Sequence, residues 1–284
     1  MTDQRQPSDT SEAAEPATLT VQYRSTYGAE PPRRIRLEIP GWSGSSTAHG
    51  DGAAAMPWHC QPFVEGSTYG LELIYPYRSE CIVRNIDGKV SFDGPLTEAR
   101  QKEELSHPFG VFAHGHYGMA TALDLLPPPG YALRLGPHPR YFTDSKGDVP
   151  LALPGHLQRF WPNQFFAVFK APPAGTSHVF RPGEAYAQLL IVPTTQTYRT
   201  EPMPADLVAS RELEETQVGT LRYVLAKHIW QSDTGNWFDD MYKQLLRIFR
   251  QGGRAAVSAH LQDVENRVAA AKAASPAPPK KSSG

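Results

Sequence analysis

Apolar and polar positions alternate with period two through the first two-thirds of the chain. They shift to a helical period after that. In TLTVQY from Thr18 and RIRLEI from Arg34, every second residue is apolar, the mark of a strand with one buried face. YGLELIYPY, ECIVRNI, KVSF, YALRLG, FFAVFKA, HVFR and AYAQLLIV continue the series, punctuated by Pro and Gly. Asp87-Gly88 between two such runs predicts a hairpin turn. Many short strands with no long helix between them predict a mainly β fold, an antiparallel sandwich or barrel.

Helical spacing begins near Ala205. RELEETQVGTLRYVLAKHI predicts one helix. Trp237, Phe238, Met241, Tyr242, Leu245, Leu246 and Phe249 predict a broad apolar stripe on a second, with Ser232 or Asp233 as its cap and Gly252-Gly253 as its stop. An alanine-rich third helix runs to about Ala274. The expected organisation is a disordered tail over 1–17, a β domain over 18–202, a helical segment over 203–274 and a disordered tail over 275–284. The small-residue stretch from Gly41 to Ala55 reads as a loop.

Composition narrows the function classes. A net charge of -1 gives the chain no overall bias toward nucleic acid, and no apolar run is long enough to span a membrane. No secretory signal is readable, and two cysteines, Cys60 and Cys81, fit reduced core thiols, so a cytoplasmic location is expected. No cofactor is readable.

RPGEAYAQLLIVP, from Arg181 to Pro193, is the most patterned stretch. Pro182-Gly183 predicts a tight turn into a strand. Alternation then puts Ala185, Ala187, Leu189 and Ile191 on one face, and Tyr186, Gln188, Leu190 and Val192 on the other. Both faces are largely apolar, which predicts burial on both sides, with the Gln188 amide needing backbone partners.

Gly183-Glu184-x-Tyr186-Ala187-Gln188-Leu189-Leu190 resembles the "G-D-x-I-A-Q-L-I" strand of trimeric dUTPases and dCTP deaminases. Gly70-Leu71-Glu72-Leu73 resembles their "A-G-x-D-L", with Glu72 for Asp. Pro129-Gly130-Tyr131 followed by Gly136-Pro137-His138-Pro139-Arg140-Tyr141 resembles "P-x-G-x-x-G…P-R-S-G". Gly155 to Asn163 stands where "G-x-I-D-x-D-Y-R-G" would be. The resemblance covers about residues 63 to 195 and implies a dUTPase-like β-clip barrel that forms a homotrimer. The run PPGY…GP…W…PGE…VP also resembles a bacterial protein family without a known activity.

The departures bear on chemistry. The resemblance puts Gln158 where dUTPases carry the water-activating Asp, and an amide is no general base. Tyr141 replaces the phosphate-contacting serine, while Arg140 remains and could hold an anion. The glycine-rich C-terminal arm is missing. The expectation is a small-molecule or nucleotide-like binder, with Arg140, Gln158, Trp161 and Glu72 as ligand-binding residues. His114 and His116 share a strand face if one strand carries both, which offers a metal-enzyme alternative, with Asp124, His138 or His156 as a third ligand. A third class is an interaction scaffold acting through the C-terminal helices. Trp58, Phe63, Tyr69, Phe160, Trp161, Phe165 and Phe166 are expected in the core, with a stacking platform as the alternative.

Overall fold

The computed structural model describes residues 18–36, 61–113, 115–143, 149–231, 235 and 237–274. The tails, the Gly41–Ala55 stretch, Trp58, Cys60, His114, Ser232 and Asp233 lie outside these. The chain divides into two compact units. A β unit runs over Thr18–Ser43 and Val64–Tyr198, and a second unit takes in Gly44–Phe63 and Arg199–Gly284.

The strands are β1 (Gln22–Ser25), β2 (Arg33–Arg34), β3 (Leu71–Ile74), β4 (Cys81–Ile86), β5 (Lys89–Asp93), β6 (Phe109–Ala113), β7 (His116–Ala120), β8 (Leu123–Leu126), β9 (Tyr131–Pro137), β10 (Gly155–Leu157), β11 (Phe166–Lys170), β12 (Ser177–Phe180) and β13 (Ala185–Pro193). Two short helices that the strand pattern did not predict, α1 (Gln61–Thr68) and α2 (Pro95–Lys102), stand among them. The second unit holds α3 (Ala205–Leu225), a hairpin of β14 (Ile229–Gln231) and β15 (Trp237–Asp239), and α4 (Met241–Ala274).

Every strand pair is antiparallel. The β unit holds a five-stranded sheet in the order β10-β9-β13-β3-β2, with smaller sheets β11-β7-β6, β12-β4-β5 and β1-β8. These sheets do not close into a barrel, so the fold is mainly antiparallel β in separate sheets followed by helices. The reason is visible in the ladders: β6 and β10, for example, each end a sheet with one paired neighbour.

Local chemistry sets the turns. Asp87 and Gly88 both have positive φ, as a two-residue hairpin requires. Glu184 N–H donates to the Arg181 carbonyl at 3.1 Å across Pro182 and Gly183, and Gly183 has φ 78°, which makes a type II turn.

That turn delivers β13, the sheet's central strand, with a correction to the expected alternation. Ala185 pairs with Ile74 and Ala187 with Leu73, so Tyr186 is an extra residue in a β-bulge. Tyr186, Ala187 and Leu189 therefore all enter the same core, where Tyr75, Phe109, Tyr117, Phe169 and Phe180 supply much of the volume. The other face of β13 is only half-buried from Gln188 onward, so the strand is not covered fully on both sides.

In the second unit, α3 and α4 pack through Leu221, Leu225, Leu261 and Val264. The apolar stripe begins differently from expectation. Trp237 and Phe238 belong to β15, and the helix starts at Met241, whose N–H donates to Asp239 Oδ1 at 2.9 Å. Gly252 and Gly253 break the helical path, as the sequence pattern requires.

Gly70 is the tightest glycine beside the central strand. It has φ +88°, and a Cβ there would lie 2.5 Å from the Leu189 carbonyl oxygen. Gly70→Ala should therefore destabilise the β unit by more than the roughly 1–3 kcal/mol of backbone strain alone. Urea denaturation reads this, and a loss under ~0.5 kcal/mol would refute the close approach.

Candidate functional site

The five-stranded sheet has two unlike faces. Leu133, Leu135, Leu157, Leu189 and Leu73 face the aromatic core. Alternation then turns Glu72, Gln188, Arg134 and His156 to the outer face.

At one corner of that face lies a buried ionic cluster. The Glu72 side chain is only 2% exposed. Arg33 Nε donates to Oε1 at 2.7 Å, and His138 Nε2 donates to Oε2 at 3.1 Å. Arg140 N–H donates to His138 Nδ1 at 3.1 Å, which leaves Nε2 as the nitrogen carrying the proton. Burial pushes the Glu72 carboxyl up, but the hydrogen bonds from His138 and Arg33 outweigh it, so the group titrates below its usual range. Arg140 closes the corner: its guanidinium donates to the Ala185 carbonyl at 3.3 Å, pairs with Glu184 at 3.5 Å and lies over the Tyr141 ring. Burial pushes the Tyr141 hydroxyl up to about 12, so it stays a neutral donor to the same carbonyl. Gln188 Nε2 donates to the Tyr69 carbonyl at 2.8 Å, the backbone partner its amide required.

At the opposite corner the face is open. His156 pairs directly with Arg134 across β9 and β10, and both are exposed. Cα atoms of such a pair lie about 5 Å apart. Gln158 follows His156 by two residues and is exposed. The chain then turns, with Trp161 N–H donating to the Gln158 carbonyl at 3.2 Å. Phe160 and Trp161 are 78% and 52% exposed. Arg159 anchors this turn by donating to the Pro127 carbonyl.

The sequence-derived ligand residues thus fall into two groups. Glu72 and Arg140 belong to the closed corner, Glu72 on β3 level with Gly136 and Arg140 just past the end of β9 at Pro137, while Gln158 and Trp161 follow β10 near the start of β9. With about 3.3 Å per residue along the strands and about 4.8 Å between neighbouring strands, the groups are roughly 20 Å apart. Arg134 was missed, although the alternation of YALRLG already marked it as the outward residue of its strand. The aromatic group also divides: Phe165 is buried as expected, but Phe63, Tyr69, Phe160, Trp161 and Phe166 are exposed.

The strand expected to carry both histidines is instead two strands, with Ala113 of β6 paired to His116 of β7. His114 lies outside the described residues. The guessed third ligands are scattered: Asp124 pairs with Arg24 at 2.9 Å, His138 with Glu72, and His156 sits beside Arg134. Among the described residues, no group of three or more His, Cys, Asp or Glu is placed to hold a metal ion. Cys81 is a buried free thiol that burial raises to about 12, which leaves it unreactive. Among the described residues no helix is long and apolar enough to cross a membrane.

No family model and no curated protein matches the chain. Among solved structures, the native EIAV dUTPase is similar at 11% identity, covering 66% of this chain and 98% of its own, with a TM-score of 0.32. The dUTPase from phage phi11 of S. aureus is similar at 12% identity, covering 66% and 99%, with a TM-score of 0.34. Both are dUTPases by name, the family that the sequence motifs resemble.

The Glu72 cluster makes a pH prediction. A carboxyl whose folded pKa lies below its ordinary 4.5 lends stability that is complete above about that pH and is lost as the pH falls through the folded value. Glu72→Gln should cost about 2–4 kcal/mol at neutral pH, because Arg33 loses its buried counter-charge, and should shed less stability than wild type between pH ~5 and ~3. Chemical denaturation across that range checks both signs. Parallel acid limbs in the two proteins would remove Glu72 from the account.

Proposed function

We propose that the β unit is a non-hydrolytic binding module for a small ligand that carries an anionic group and a planar ring, a nucleotide-like chemistry. One observation carries this reading: the in-register pair Arg134 and His156 on an open sheet face, continued by exposed Gln158 and Trp161. In it the Arg134 guanidinium and the His156 ring hold the anionic group. Gln158 donates to or accepts from the edge of the ring, and Trp161 stacks on its face. Binding without hydrolysis fits this set, since Gln158 cannot take a proton from water as a carboxylate would. Glu72 and Arg140 serve as scaffold here, because their polar atoms are engaged within the closed corner.

A thermal-shift titration with nucleoside triphosphates tests this. A ligand at about 100 times its Kd should stabilise the fold by roughly 2.7 kcal/mol, a rise of a few degrees. Arg134→Ala should weaken binding at least ~10-fold, and Trp161→Ala should reduce the preference for nucleotide over inorganic phosphate. No shift with any nucleotide, or equal affinity in Arg134→Ala, would remove the reading.

A second reading concerns the second unit and rests on a separate observation. Leu213, Tyr223 and Val224 on α3 are exposed, and among the described residues only four side chains form the buried core between α3 and α4. So small a core leaves apolar helix surface for another copy of the chain to cover. Self-association, including the trimer implied by the sequence resemblance, is read by light scattering. The Leu213→Glu, Tyr223→Glu double variant should lower the measured mass if α3 forms the contact. An unchanged oligomer would exclude α3 from it.

A further inference from the structure

β9 carries a glycine that its backbone does not need. Gly136 lies within the strand and outside the positive-φ region, and a Cβ built on it would meet no heavy atom within 4 Å beyond its chain neighbours. The register with β13 runs unbroken through Gly136, so no bulge accounts for it. A strand glycine of this kind forgoes side-chain packing and is used where a ligand or another backbone comes close. Alternation puts it on the same face as Arg134, two residues and about 7 Å along β9. Gln158 stands about as far from His156 in the opposite direction, since β10 runs antiparallel to β9. The Arg134–His156 pair therefore has room on both sides.

The neighbouring strand supplies an oriented acceptor. Gln188 pairs directly with Gly136 across β13 and β9 and is half-buried. Its Nε2 donates to the Tyr69 carbonyl at 2.8 Å and to the Gly66 carbonyl at 3.4 Å. Both carbonyls precede β3, which flanks β13 on the edge away from β9. A planar amide held in this way turns Oε1 away from those carbonyls, and Oε1 accepts no hydrogen bond among the described residues. We propose, resting on the anion and ring contacts proposed above, that Gly136 and Gln188 form a subsite for a sugar ring, so that the ligand of this face is a nucleoside diphosphate joined to a sugar. The diphosphate occupies the middle, at Arg134 and His156. The planar base goes to Trp161. The sugar lies flat over Gly136, with a hydroxyl donating to Gln188 Oε1. A free triphosphate would end at the Arg134–His156 pair and leave that acceptor unused.

Calorimetry on the full chain compares ADP with ADP-ribose and UDP with UDP-glucose. In at least one pair the sugar conjugate should bind at least ~10-fold tighter than its diphosphate. Gly136→Val should bring the two affinities together, because its methyl groups occupy the floor on which the sugar lies. Gly136→Ala should narrow the gap in part. Arg134→Ala should instead weaken both members of the pair, since both present the same diphosphate. A valine favours a strand and meets open space here, so Gly136→Val folds, and thermal denaturation checks this for both glycine variants. A conjugate that binds no tighter than its diphosphate, or a preference that survives Gly136→Val, overturns the sugar subsite and leaves the Arg134–His156 reading in place. Absence of binding by any of these ligands overturns both.

Discussion

A carboxylate taken out of water in the middle of a sheet must keep its partners, and Glu72 is that carboxylate here. Its two oxygens are held by Arg33 and by His138, one from the strand beside β3 and the other from the segment just past β9. The desolvation of a lone ion at this site would cost several kcal/mol, so neither neighbour can move away independently. The pair therefore fixes β2 against β3 and pins the exit of β9. Arg140 N–H, bonded to the far nitrogen of the same imidazole, extends this control to the turn that follows.

The central strand β13 obeys a related constraint. It must pair with β9 on one edge and β3 on the other while sending its side chains into an aromatic core. The bulge at Tyr186 lets three successive residues, Ala185 to Ala187, be buried, and it shifts the register so that Gln188 meets Glu72. Close approach of Gly70 to the Leu189 carbonyl then allows the Gln188 amide to reach the Tyr69 backbone. Tyr186 is left with a buried hydroxyl that has no hydrogen-bond partner among the described residues, a cost the hydrophobic burial of its ring must outweigh.

These two constraints explain why one face of the sheet is inert at one end and chemically open at the other. At the Glu72 corner the charges satisfy one another. At the β9–β10 end, Arg134 and His156 are presented to solvent with exposed aromatic rings nearby.

Short-range physics was legible in the chain. The Asp87-Gly88 and Pro182-Gly183 turns, most of the strands and the Gly252-Gly253 break follow from φ preferences and periodicity, which depend only on neighbouring residues. Arg134 was equally legible as an outward strand residue. What alternation could not show was a register shift: one extra residue at Tyr186 reverses the facing of everything beyond it relative to what precedes it. Nor could it show that Glu72, His138 and Arg33 form one cluster, since 39 and 66 residues separate Glu72 from its partners. The two histidines around Gly115 share a strand face only if one strand carries both, and β6 ends at Ala113 while β7 begins at His116. Local sequence determined the elements and their turns, because torsional and hydrophobic preferences act over a few residues. The tertiary structure decided which charges meet, because burial and pairing across strands exist only once distant segments are brought together.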